Sequence, residues 1–311
     1  MKFSVVIPLY NKAPYVRKAL ESVIAQTYQN FELMVVDDGS TDGSTLIVDE
    51  FLNGIENIKH RFIKQENLGV SIARNNGVAH SDGDYIAFLD ADDWWDCTYL
   101  ERMAQFINEY PDAGLYACNY YYHKNNKNLI RVSQISTGYI NYPKVYYDIF
   151  AMPVWTGATI IPRSVFLDVN GFNPQLWMSE DFDLWIRIAL KYKVCFLNEL
   201  LAYYNQSVQL KWRALGKLYP PHRQFAFNAD YLLTYQKEDE DIRHVVDMVK
   251  ILCLKQYYIS KQYHELAKKE LSKIDINNYQ HKFYASYLWQ PLWKLKLEMM
   301  IGYIYQLITR K

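Results

Sequence analysis

Apolar and polar positions follow two rhythms along the first third of the chain. Short apolar, β-rich runs at residues 3–9, 31–36, 58–64 and 85–89 read as strands. Between them the apolar spacing lengthens to three and four. Val16, Ala19, Leu20, Val23 and Ile24 make the stripe of a helix starting near Pro14, residues 69–80 read as a second helix, and Leu100, Met103, Ala104 and Ile107 mark a third that ends near Tyr110. Strand, helix and strand in repetition is the pattern of βαβ units, so an α/β fold with a mostly parallel central sheet is expected.

The rhythm changes after Gly114. A tyrosine-rich stretch reads as antiparallel strands, and residues 156–161 as another short strand. Residues 179–192 have helical spacing, with Phe182, Trp185, Ile188 and Ala189 on the inner face and an Asp183–Arg187 pair outside. Beyond about Trp212 the strand signals end, and Val245, Met248, Val249, Leu252 and Tyr257 are spaced as one buried helical face. A domain boundary is placed there, leaving residues 211–311 as a helical C-terminal region.

Half of the 311 residues are apolar, enough for one large α/β domain with a smaller appendage. The 34 basic and 34 acidic side chains cancel, so no global field draws the chain to nucleic acid, and a diphosphate ligand needs local help such as a cation. Cys97, Cys118, Cys195 and Cys253 are scattered without a CxxC pair, which fits reduced thiols better than a zinc knuckle or a disulfide framework. Pro8 and Asn11-Lys12 interrupt any signal-peptide core, and no segment reads as an uninterrupted membrane span, so a cytoplasmic protein is expected. From residue 282 to the end, five basic residues against Glu298 give a local charge of plus four amid many aromatic residues. Such a tail suits peripheral contact with the inner face of an anionic membrane, or packing on the catalytic domain or on a second copy of the chain.

Carboxylates crowd the ends of two strands, the edge where open α/β sheets bind ligands. Asp90 and Asp92 follow the fourth strand, and continued extended geometry would send both side chains to one side. A divalent cation, Mn²⁺ or Mg²⁺, would relieve their repulsion and take phosphate oxygens as further ligands, whereas the plainer reading is a solvated acidic turn. Asp37 and Asp38 close the second strand; one can accept bonds from a pyrimidine or ribose while Ser40, Thr41 or Asp42 caps the next helix. Arg74, one helical turn after Ser71, reaches either a nucleotide or a neighbouring Asp. Glu180 and Asp181 after Ser179 are ordinary helix-start acids, or else Asp181 is a general base raised by burial beside an aromatic such as Trp177. The rings of Trp155, Trp177 and Trp185 suit sugar stacking or the core, with Trp185 assigned to the core.

Five motifs stand in order: Val5-Val6-Ile7-Pro8-Leu9-Tyr10-Asn11, Asp37-Asp38-Gly39-Ser40-Thr41-Asp42, Asn67-Leu68-Gly69 through Arg74-Asn75, Leu89-Asp90-Ala91-Asp92-Asp93 and Glu180-Asp181-Phe182-Asp183-Leu184-Trp185. Together, over about residues 1–205, the chain resembles family 2 glycosyltransferases of the GT-A fold. The resemblance implies an inverting, metal-assisted transfer from a nucleotide-sugar donor, most often a UDP-sugar, to a hydroxyl of a glycan or lipid-linked acceptor, as in polysaccharide synthesis. It implies a transferase domain over residues 1–210, with the nucleotide-binding part at about 1–110 and the acceptor-side part at about 111–210. By motif, Pro8 and Tyr10 would line the base pocket with Asp37 and Asp38, Arg74 would lie beside the nucleotide, Asp90 near ribose and metal, and Asp92 would ligate the metal. Asp181 would take the acceptor's proton, with Glu180 and Trp177 at the acceptor site. Where many relatives carry a basic contact to the diphosphate, this chain reads Asn205-Gln206-Ser207-Val208, so Lys211, Trp212, Arg213 or His222 is expected to substitute.

Two other readings stand beside this one. A catalytically silent carbohydrate-binding or assembly subunit of the same fold would not need Asp90, Asp92 and Asp181 together. A sugar nucleotidyltransferase would show a Gly-rich phosphate loop after the first strand, but Tyr10-Asn11-Lys12-Ala13-Pro14 has no glycine.

Overall fold

The computed structural model describes residues 1–125, 127–130, 134–208, 218–275 and 286–308. The chain divides into two compact units, Met1–Arg213 and Ala214–Lys311.

The first unit is built on a mixed sheet. Its elements run β1 (Phe3–Leu9), α1 (Val16–Ile24), β2 (Phe31–Asp38), α2 (Ser44–Asn53), β3 (His60–Gln65), α3 (Val70–Ala79), β4 (Tyr85–Phe88), β5 (Trp94–Trp95), α4 (Tyr99–Glu109), β6 (Ala113–Lys124), β7 (Lys127–Ile130), β8 (Gly138–Ile140), α5 (Tyr142–Ile149), β9 (Thr159–Pro162), α6 (Arg163–Asp168), α7 (Glu180–Ala189) and β10 (Lys193–Asn205). The strand order is β3-β2-β1-β4-β9-β6-β10-β5, with β7 added to β6 and β8 to β10. The half β3-β2-β1-β4 is parallel throughout, as the βαβ rhythm requires. β9 then runs antiparallel between β4 and β6.

Every residue of β1 and β2 is buried, because helices cover both faces of a parallel sheet and leave no solvent side to alternate toward. α1 buries Val16, Ala19, Leu20 and Val23 of the expected stripe, while Ile24 is only half-buried, and it begins at Val16 because Lys12 to Tyr15 form a turn. α3 lies close on the sheet at Gly77, where a Cβ would fall 2.5 Å from Val6 Cγ1. That close approach fixes the height of α3 above β1, and with it the position of Arg74 one turn earlier.

Three further expectations are corrected in the first unit. The tyrosine-rich β6 is antiparallel to β7 and β9 but parallel to β10, a long-range partner that local periodicity does not identify. The chain does not stay extended from Asp90 to Asp92: β4 ends at Phe88, and Asp93 N bonds Asp90 O at 3.0 Å across a turn. Asp183 is not outside but 1 % exposed. It is carried inward on a wide buried face of α7 and neutralised there by Arg187, whose Nε and Nη2 lie 2.9 and 2.7 Å from Asp183 Oδ2. Trp185 is in the core as expected.

In the second unit, short 3-10 turns lead to α8 (Leu233–Glu238), α9 (Glu240–Ile259), α10 (His264–Leu271) and α11 (Leu292–Ile308). α9 starts where Asp239 Oδ1 accepts the Ile242 amide at 3.1 Å. It buries Val245, Met248, Val249 and Tyr257, but Leu252 is 42 % exposed, since the buried face passes through Ile251 and Leu254 instead. On α11, Leu295 is buried while Leu292, Trp293, Leu297, Met300 and Ile301 are exposed. Among the described residues no helix is long and apolar enough to cross a membrane. The expected boundary at Trp212, the substitute contacts Lys211, Trp212 and Arg213, and the tail charges Lys282, Arg310 and Lys311 lie outside the described residues.

Candidate active site

The loops after β1, β2 and β4 meet at the carboxyl edge of the parallel half-sheet. Asn11 takes a left-handed backbone, φ 52°, and is fixed from both sides: its amide donates to Ser40 Oγ at 3.0 Å, and its Oδ1 accepts from Thr41 N at 2.8 Å. Lys12 N donates to Ser44 Oγ at 2.8 Å and Ala13 N to Asp42 Oδ2 at 3.0 Å, so the first two loops form one rigid rim. Pro8 is buried at the end of β1, and the Tyr10 ring is 44 % exposed above it.

Asp37 and Asp38 are both buried and shape these loops. Asp37 accepts from Ser40 N at 2.9 Å and from Thr45 Oγ1, so it helps fasten the entry to α2 that was expected to fall to the later residues. Asp42 shares that work through Ser44 N at 3.0 Å. Asp38 accepts from Gln65 Nε2 at 2.8 Å and from the amides of Leu68 and Gly69 at 2.8 and 2.9 Å, fixing the loop that enters α3. Gly39, at φ 78°, passes so close to that loop that a Cβ would sit 3.0 Å from Asn67 N.

Past β4 the three carboxylates separate by environment. Asp90 Oδ1 accepts from Arg74 Nη2 at 2.7 Å. Asp92 Oδ2 pairs with Lys12 Nζ, a cation reaching across from the β1 loop. Asp93 is 1 % exposed; its Oδ1 accepts the Asn205 amide at 2.6 Å, and its Oδ2 is buried with no hydrogen-bond partner. Burial, reinforced by Asp92 and Asp90, raises the Asp93 carboxyl well above the usual carboxylate range. Asn205, in the stretch that departs from the expected basic contact, therefore closes the floor of the acidic loop.

The second carboxylate group comes from the start of α7. Ser179 stands at the N-cap position in a left-handed conformation, φ 59°, and its side chain makes no capping bond. Glu180 Oε1 accepts from Arg74 Nη1 at 3.0 Å, so one buried guanidinium joins Asp90 to Glu180. The two carboxylates hold Arg74 protonated despite its burial. The Asp181 carboxyl is pushed up to about 7, first by burial and then by the Glu180 charge, against the Phe182 amide and Arg74, which pull it down. The dipole at this helix end also pulls it down, and burial outweighs it. Trp177, 36 % exposed, lies over the entry to α3: a Cβ on Gly69 would be 3.0 Å from its Nε1.

The expected site residues thus gather around one edge, and two features were not anticipated. Lys12 supplies a positive charge on Asp92, and Arg74 spans two carboxylates 90 positions apart in sequence. The only sequence signal for Lys12 is its place two residues beyond Tyr10, at the end of a buried strand. Trp155 is buried rather than open to a ligand.

Among the described residues no group of three or more His, Cys, Asp or Glu side chains is placed to hold a metal ion by itself. What the edge offers is two hard carboxylates, each already paired with a side-chain cation, Asp90 with Arg74 and Asp92 with Lys12, and too few protein ligands to close a shell by themselves, a donor set that fits an ion sharing its shell with phosphate oxygens.

Comparison with known proteins agrees with this architecture. The chain is 40 % identical over 150 residues to the glycosyltransferase GlyA of Streptococcus pneumoniae serotype 4, a stretch covering 48 % of this chain and 20 % of GlyA. The S. aureus TarS 1-349 structure in complex with UDP-GlcNAc superposes with TM-score 0.63 at 20 % identity, covering 83 % of this chain and 73 % of that one. The mannosyltransferase PcManGT from Pyrobaculum calidifontis, in complex with GDP-Man and Mn²⁺, superposes with TM-score 0.54 at 16 % identity, covering 92 % of this chain and 82 % of that one. The sequence model for glycosyl transferase family 2 matches residues 4–168, more than half of the chain, including Asp37, Asp38, Asp90, Asp92 and Asp93 but not Glu180 and Asp181. With these matches and its mixed sheet, the chain belongs to glycosyl transferase family 2 and shares the GT-A fold.

Proposed function

We propose that the chain transfers a sugar from a UDP-sugar to a hydroxyl of a glycan or lipid-linked acceptor, in one displacement that inverts the anomeric carbon. The observation that carries this reading is the place of Asp181 at the start of α7, next to Glu180 and the Asp90–Arg74–Glu180 bridge, where burial and the Glu180 charge push its carboxyl up to about 7. A group poised near neutrality takes a proton from an attacking hydroxyl and is worth about 10²- to 10⁴-fold in rate. Glu180 and Trp177 flank it on the acceptor side, while Pro8, Tyr10, Asp37 and Asp38 frame the nucleoside.

Asp92 and Asp90 are the residues to hold Mn²⁺ or Mg²⁺, which would stabilise the charge that gathers on the departing diphosphate. The UDP-GlcNAc complex of TarS supports a UDP donor, and the Mn²⁺ complex of PcManGT supports a divalent ion. A silent carbohydrate-binding subunit is disfavoured because the ionic bridge and the raised carboxyl are both kept. Residues 1–110 serve the nucleotide and 111–210 the acceptor. The exposed apolar residues of α11, with Lys294 and Lys296 among them, support contact of residues 211–311 with the inner face of an anionic membrane.

Nucleotide release from a panel of sugar donors with Mn²⁺, with Mg²⁺ and with chelator tests the reading. Release should require metal and be fastest from one UDP-sugar; release indifferent to chelation refutes the metal role. The membrane contact is checked in the same preparation by sedimentation with phosphatidylglycerol vesicles, which deletion beyond Tyr279 should abolish.

A further inference from the structure

Arg74 is an expensive way to fill a core. Its side chain is buried, its Nε has no hydrogen-bond partner, and its guanidinium lies 5.0 Å from the centre of the Phe172 ring. A packing role would be met by an apolar residue without an unsatisfied donor. What only a guanidinium achieves here is the bridge: Nη2 to Asp90 Oδ1 at 2.7 Å and Nη1 to Glu180 Oε1 at 3.0 Å.

The same face of α3 holds the segment leading to Glu180. Ser71 Oγ donates to Leu176 O at 3.0 Å, and Asn75 forms a reciprocal pair with Phe172, Nδ2 to O at 2.8 Å and Oδ1 from N at 3.0 Å. Residues 71, 74 and 75 share one helical face by spacing. All three of their side chains engage residues 172–180, so this face of α3 is a clamp on the segment that delivers Asp181. Ser71 and Asn75 grip backbone atoms and are indifferent to ligand. Arg74 alone ends, on its other side, on a carboxylate of the donor edge.

We propose that Arg74 is a positioning residue that links the two halves of the site, so that occupation of the donor edge at Asp90 is felt by the segment 172–181 through the guanidinium and Glu180. A donor that engages Asp90 competes with Arg74 for that carboxylate. The guanidinium then leans on Glu180, its remaining anionic partner, and tightens the start of α7 where the base resides. The reverse also holds, since coupling between two sites is reciprocal. This inference rests on the donor reading above.

Hydrogen–deuterium exchange of the full chain, read on peptides covering residues 172–181 with and without UDP and MnCl₂, tests it. UDP affinity is measured alongside by calorimetry. In the wild type, UDP with Mn²⁺ should slow exchange there by about fivefold or more, the usual lower range for coupled sites. Glu180→Gln, which cuts the bridge on the side away from the nucleotide, should lose that slowing while still binding UDP; Arg74→Gln, read at UDP concentrations that saturate the variant, should lose it too, and Arg74→Lys should keep part of it. Ser71→Ala, which loosens the clamp but spares the bridge, should raise exchange equally in both states and leave the ratio unchanged. Bound UDP without protection in the wild type, or full protection in Arg74→Gln, overturns the linkage. No UDP binding by the wild type overturns the donor reading, and this one with it.

Discussion

Replacing Asp181 with Asn is expected to reduce sugar transfer by about 10²- to 10⁴-fold, the usual worth of a positioned general base, while UDP affinity stays close to that of the wild type. Asn is nearly isosteric and can still accept the Phe182 amide bond that Asp181 Oδ1 makes at 2.7 Å, so the start of α7 should persist. The pH profile supplies a second check. The proposed base acts in its ionised form, and with the Asp181 carboxyl pushed up to about 7, kcat/KM for UDP release should rise with pH up to about 7 and level off above it. The variant should lose that limb along with its rate.

The same residue has a stability consequence of opposite sign. The folded-state carboxyl is raised to about 7 from an ordinary 3.8, so the folded chain retains a proton that the unfolded chain gives up. Its contribution to stability is complete below the unfolded value and is lost as pH rises through about 7, where the recess must accommodate a charge. Asp181→Asn escapes this loss, so its Tm should exceed that of the wild type at pH 8, with the difference shrinking as pH falls toward 4. A variant that loses activity, UDP binding and stability together at both pH values would make Asp181 a structural residue.

How far the site was legible depends on the distance over which each feature is encoded. β1, β2 and β4 announce themselves locally because buried parallel strands are nearly all apolar, and the acids at their ends stand out against that background. The raised titration of Asp181 was anticipated only as a condition, burial, which the sequence could not show to be met. Features that need a partner elsewhere were hidden: the parallel pairing of β6 with β10, the inward turn of Asp183 toward Arg187, and the bridge of Arg74 to Glu180. The departure after β10 looked like a missing basic contact. In the fold Asn205 closes on Asp93 through its amide, and Lys12, which periodicity places in an unremarkable turn, adds a positive charge at Asp92, while the expected substitutes Lys211, Trp212 and Arg213 lie outside the described residues.

Lys12 gives the second large effect its direction. Asp92 Oδ2 is paired with the Lys12 ammonium, with both side chains largely shielded at 16 % and 17 % exposure. A divalent ion bound at Asp92 must displace or share that contact, so the two cations compete for one carboxylate. Asp92→Ala removes the proposed ligand itself. Changing a residue that merely supports a ligand costs about 10- to 100-fold in metal affinity, and losing the ligand should cost at least that much. Mn²⁺ affinity in the presence of UDP, followed by the paramagnetic resonance signal of the free ion, should fall accordingly, and UDP should bind equally weakly with Mn²⁺ and with chelator. Lys12→Ala acts the other way on the metal and the same way on the nucleotide. Freed from its internal counter-ion, Asp92 should bind Mn²⁺ more tightly without UDP, while UDP in chelator should bind more weakly, having lost a positive charge near its diphosphate. The opposite signs for the two ligands distinguish competition at Asp92 from general damage to the loop, which would weaken both. If Asp92→Ala leaves the Mn²⁺ dependence of UDP binding intact, the ion is held by other oxygens and Asp92 serves chiefly to anchor Lys12.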